Sequence, residues 1–229
     1  EFQAKSVNVK NCTQTAATGF AIGIYHNGGF LLTEFHDCYI DDILSSGGTM
    51  ISSGIRTESN GTSESLVINI NGGQIDSVTP GNDGDGVALL QTFPFATFAT
   101  YTVNGTKFIN CHKRAIKTQC WKSIINTPII TRTEAHTIFG GNIDIDCQYG
   151  NAEIINPIFD YSTGFTAPQN GLIALYAQRG NTDDAKGRSA HVQGGQCTIR
   201  DDTTAIPQVF TIPTFDALDK VNNPSVMSF

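Results

Sequence analysis

The chain has 229 residues, a formal net charge of −7, 15% charged side chains and 23 glycines. That acidic balance excludes nucleic acid as a main partner, because neutralising phosphates takes clusters of Lys and Arg. Abundant Gly with recurring Asn, Thr and Ile disfavours long helices, and no apolar run is long enough to span a membrane.

Six cysteines are too few for a disulfide scaffold, and no Cys/His spacing suits zinc. Free thiols are therefore expected, with neither metal nor cofactor. The one basic cluster, His112, Lys113 and Arg114, reads as a solvated loop.

In chain order, strands are expected at 6–9, 20–25, 30–35, 39–44 and 49–53, with a polar loop over 54–64. Residues 65–70 alternate, placing Leu66, Ile68 and Ile70 on one side. A strand at 74–78 precedes a turn-rich loop over 79–86 that carries Asp83 and Asp85. The run with Phe93, Phe95, Phe98 and Tyr101 is too apolar for free exposure, so it is expected under a loop or between chains. Strands follow at 107–111, 129–132, 137–139, 142–146, 152–155 and 158–160, and then at 171–177, 190–192, 196–199 and 208–212. A parallel β-helix over 1–213 with a C-terminal extension over 214–229 is the expected organisation. Nothing in the sequence covers the first rung at Glu1, so a piece of a longer protein is expected.

One phrase recurs: a short apolar stretch running into Asn or Asp followed by a small residue, at Cys12, Cys38, Gly72, Cys111 and Cys147. The steps are irregular, about 26–39 residues, as in a solenoid whose loops vary in length. Cys is small and usually buried, while Asn and Asp tolerate left-handed backbone in turns. Cys12, Cys38, Cys111 and Cys147 are therefore expected as one inward column. Asn11, Asp37, Asn71, Asn110 and Asp146 are expected as a turn ladder beside it. The fold class is all-β, a right-handed parallel β-helix of about seven or eight coils at three short strands per coil. The alternative is an antiparallel β-sandwich, for which the best hairpin signal is Asn104-Gly105.

The phrases at 107–111, 142–147 and 82–87 resemble the rungs of right-handed parallel β-helix proteins of the pectate-lyase-like type. Their Gly- and Asn-rich style is most similar to bacteriophage tailspikes. The resemblance is one of rung style and carries no catalytic signature. It implies a homotrimer on a virion tail that binds or degrades bacterial surface polysaccharide, or else a non-catalytic receptor-binding or structural shaft. A polygalacturonase is excluded: Asn181, Thr182 and Asp183 match its first motif, but the Gly-His-Gly and Arg-Ile-Lys motifs are absent.

Glycosidic hydrolysis uses two carboxyl groups about 5–5.5 Å apart for retention, or about 6.5–9.5 Å apart for inversion. Asp144 and Asp146 are an i, i+2 pair, about 6.5–7 Å apart by strand rise, expected outward with Ile143 and Ile145 inward. Glu134 is the third candidate catalytic acid, on a segment with Arg132 and His136, both candidate substrate-binding residues. Asp83 and Asp85 are candidates for substrate contact or for turn building, and the Glu that would complete a calcium loop is missing. Trp121 is a candidate for stacking on a sugar ring or for ordinary packing.

Overall fold

A computed structural model of the protein describes residues 1–16, 18–27, 31–46, 51–59, 66–91, 99–133, 144–161, 173–175, 188–199, 210–211 and 225–228. Those residues form short strands joined by turns. The first coil consists of β1 (Phe2–Lys5), β2 (Asn8–Gln14) and β3 (Phe20–Asn27). The second repeats it with β4 (Leu32–His36), β5 (Tyr39–Ser45) and β6 (Ile51–Ser59), and the third with β7 (Val67–Asn71), β8 (Gln74–Thr79) and β9 (Asp83–Gln91). The fourth has β10 (Thr100–Asn104), β11 (Lys107–Cys111) and the opening half of β12 (Arg114–Asn126). Then follow β13 (Ile129–Thr131), β14 (Ile145–Ile155), β15 (Ile158–Tyr161), β16 (Ile173–Leu175), β17 (Arg188–Gln193), β18 (Gln196–Ile199), β19 (Phe210–Thr211) and β20 (Ser225–Ser228).

Each strand pairs with its counterpart one coil away, and every pairing among the described strands is parallel. The protein is a parallel β-solenoid. The antiparallel sandwich is overturned: β10 and β11 pair into different sheets, and Asn104-Gly105 is a corner between them, not a hairpin. About four coils have the expected form, with three separate strands each, in place of seven or eight. After them the pattern changes, because β12 and β14 each run from one strand stack straight into the next. The expected strand at 137–139 lies outside the described residues.

The core is a set of columns, one residue per coil. Val9, Ile40, Ile75, Phe108, Ile130 and Phe159 stack in register along the second sheet. Phe35, Ile70, Val103, Ile125, Ile154 and Val192 do the same on the first. Alternation at period two sends these side chains inward and their neighbours outward. Tyr101 belongs to this core, its hydroxyl 2.8 Å from the Leu90 carbonyl oxygen, whereas Phe93, Phe95 and Phe98 lie outside the described residues.

The expected columns need redrawing. Cys12 and Cys111 share a column through Ile43 and Val78, but Cys38 lies at the β4–β5 corner and Cys147 stacks on Thr118 in the other sheet. All six cysteines are free. The turn residues form two ladders, not one. Asn11, Asp42, Ser77 and Asn110 take left-handed backbone at one kink within the second sheet. Ser6, Asp37, Gly72, Gly105, Thr127 and Asn156 take it at the corner between sheets. In that corner ladder each amide donates to the coil above, from Ser6 N to His36 O at 2.9 Å through Thr127 N to Ile155 O at 2.7 Å. Asn71 precedes this ladder, and Asp146 is in neither ladder, lying inside β14.

Candidate functional site: a buried ionic seam

Three adjacent strands carry charge on one face. On β9 these are Asp83 and Asp85, on β12 Arg114 and Lys117, and on β14 Asp146. Asp85 is in register with Arg114, and Lys117 with Asp146. Alternation puts Lys117 and Asp146 on the side opposite Ile116, Ile145 and Cys147, the outer side of the stack. That side is nonetheless buried: Asp146 has no exposed surface, and Asp85 almost none.

Arg114 holds the seam together, since a guanidinium offers a planar fork of donors that three carboxylates can share. Its Nε donates to Asp85 Oδ1 at 2.5 Å and its Nη1 to Asp146 Oδ2 at 3.3 Å, while Nη2 pairs with Asp83. Asp83 also receives Lys113 at 3.1 Å and Lys117 at 3.5 Å. Gln148 donates to Asp146 Oδ2 at 2.7 Å and pairs in turn with Gln119. Asp85 Oδ2 and Asp146 Oδ1 are buried without a hydrogen-bond partner among the described residues.

A second ion pair lies deeper. Arg132 Nε donates to Asp144 Oδ1 at 2.9 Å, and both side chains are shut off from solvent. Asp144 is thus not on a solvated outward face, as the sequence suggested, but occupied by an Arg two strands back. Its carbonyl oxygen accepts the amides of Ala115 and Ile116 at 3.0 and 2.9 Å, which joins it to the same corner as Arg114.

The two ends of the seam hold protons differently. Burial works against the charged form of Asp83, but Arg114, Lys117 and Lys113 outweigh it and hold its carboxyl well below the usual range. Burial dominates at Asp146 and pushes its carboxyl up, with Asp85 adding to the rise and Arg114, Gln148 and Lys117 opposing it. Burial alone would lower the basicity of Arg114, yet Asp85, Asp146 and Asp83 together raise it.

The expected site residues therefore divide. Asp83, Asp85 and Asp146 come together, and Arg132 joins Asp144. Trp121 stands on the outer side of β12 with 40% of its surface exposed. Glu134 and His136 lie outside the described residues. Sequence reasoning missed Arg114, Lys117, Gln119 and Gln148, and it took Lys113 and Arg114 for a solvated loop. The signal was one of coil register: Arg114 sits one coil after Asp85, which no single stretch of sequence displays. Among the described residues, no three His, Cys, Asp or Glu side chains come together as a metal-binding group.

No family model, curated protein or solved structure matches the chain.

Proposed function

We propose that this chain is the polysaccharide-binding and -degrading β-helix of a tailspike-type protein, right-handed and trimeric, acting at a bacterial surface from a virion tail. The observation that carries the reading is the divergent proton affinity of Asp83 and Asp146 around the one Arg114. Glycosidic cleavage needs one carboxyl group that keeps its proton and one that has lost it, and environments that separate two acids in this way mark such assignments. Asp146 is the proton donor in this reading, and Asp83, at the partly exposed end, is the carboxylate. Arg114 is the positioning residue that fixes their separation.

A second reading, a non-catalytic receptor-binding or structural shaft, is favoured by the burial of Asp144 and Asp146, which leaves neither in contact with solvent. Depolymerisation of a panel of capsules and lipopolysaccharides separates the two. The enzyme reading expects release of oligosaccharides that falls at least a hundredfold in Asp146→Asn and in Asp83→Asn, with the fold intact by circular dichroism. Binding without release by the unmodified chain supports the shaft. Sedimentation equilibrium tests the trimer, and a monomer at micromolar concentration refutes that part.

A further inference from the structure

The exposed Trp121 sits where β12 leaves one stack and enters the next. Its register with β14 breaks there, between Gln119 and Lys122. The break lets one residue face out at the corner while Cys120 before it is fully buried. The glycine of the coil above makes room: a Cβ on Gly150, where φ is +73°, would fall 2.8 Å from the Trp121 carbonyl oxygen and 1.9 Å from that of Cys120. The other large exposed apolar side chains among the described residues all belong to the first three coils, so Trp121 is isolated from them.

Its surroundings are amides. Trp121 N donates to Gln91 Oε1 at 3.0 Å, and Asn151 Nδ2 donates to the Trp121 carbonyl at 3.5 Å. Gln119, two residues back on the same side of β12, pairs with Gln148. The nearest charges, Lys122 and Glu153, neutralise each other at 3.0 Å. An exposed indole offers an apolar face, and an amide both donates and accepts. Together they match a pyranose ring, which has C–H bonds on its face and hydroxyls around its rim. With no unpaired charge among these neighbours, nothing selects a carboxylate or phosphate on the sugar.

We propose that Trp121 is the stacking platform of a sugar subsite ringed by Gln91, Gln119, Gln148 and Asn151, and that the sugar it takes is uncharged. This rests on the polysaccharide reading and deepens it. Gln148 also bonds Asp146, so the subsite adjoins the ionic seam, and a glycan seated on Trp121 runs along β12 toward Lys117, across the solenoid axis. Two residues of strand advance about 6.5–7 Å, so Trp121 and Lys117 lie about 13–14 Å apart along it.

The chain has one tryptophan, so its emission reports this site alone. The full chain is titrated with neutral hexose and 6-deoxyhexose oligosaccharides and, in parallel, with oligouronates. A blue shift and protection from acrylamide quenching by neutral sugars is the expected result. Trp121→Ala should weaken binding at least tenfold by calorimetry with an unchanged melting temperature, and Trp121→Phe should recover part of it. An emission that no neutral sugar alters, a response to oligouronates alone, or full affinity in Trp121→Ala overturns the proposal. Depolymerisation is assayed on the same samples: binding at Trp121 without cleavage removes the catalytic reading only, and cleavage without any change at Trp121 removes this one only.

Discussion

Asp146 and Asp83 lie on one guanidinium and respond to pH in opposite directions. Burial raises the folded-state affinity of Asp146 for its proton, so its contribution to stability is complete below the ordinary carboxyl range and is lost as pH rises through the raised value. Asp83 is depressed by Arg114 and the two lysines, so its contribution is present above the ordinary range and is lost as pH falls. Asp146→Asn, which keeps the shape and cannot ionise, should therefore raise the melting temperature at pH 7 and above while changing little at pH 3. An equal or lower melting temperature at pH 8 would contradict this. Arg132 gives the opposite kind of prediction. Removing it leaves Asp144 charged and buried, which costs about 3–5 kcal/mol. Arg132→Ala should lose that much in urea unfolding at pH 7, and Asp144→Asn added to it should restore part of the loss.

The strand stacks depend on close backbone approach at one place and on left-handed turns at another. Gly86 lies between Asp85 and Val87, and a Cβ there would come 2.6 Å from the Ala115 carbonyl oxygen and 2.7 Å from Phe108. Gly86→Ala should thus push β9 from its neighbour and lower the melting temperature, disturbing the Asp85–Arg114 contact as it does so; an unchanged value would show that the stack can yield. At the sheet corner, Thr127 holds φ at +47°, where a β-branched side chain is strained. Asn, which tolerates that backbone and stands at the equivalent Asn156, should stabilise the fold by about 1 kcal/mol. A Thr127→Asn variant that melts lower would mean that the Thr127 hydroxyl bond to Asn126 Oδ1 at 3.1 Å outweighs the strain. These elements were partly legible beforehand. Alternation revealed β7 and its inward Ile68 and Ile70, because a strand with one side buried writes period two into its own sequence. The extent of β12 was not legible, because it is buried on both sides at its start and shows no alternation there.

Across the whole molecule, the parallel solenoid forces every pairing to span a full coil. Closing such loops costs entropy before any pairing returns it. Refolding from urea should accordingly be slow, on the order of a second or longer, and stopped-flow fluorescence of Trp121 measures it directly; completion within milliseconds would be inconsistent with this topology. The sequence alone determined that the chain is built from short strands and tight turns that repeat coil by coil, since side-chain alternation and turn chemistry are local properties. It also put Asp83, Asp85, Asp144 and Asp146 forward as the acids of interest, on residue type and spacing. Which residues share a column was decided only by the tertiary structure. Loop lengths between coils vary, so register is set by packing and not by counting, and that is how Asp85 and Asp146 came to face Arg114, and Asp144 to face Arg132. The burial of those acids was likewise a tertiary outcome, because solvent access depends on what covers a strand and not on the strand's own pattern.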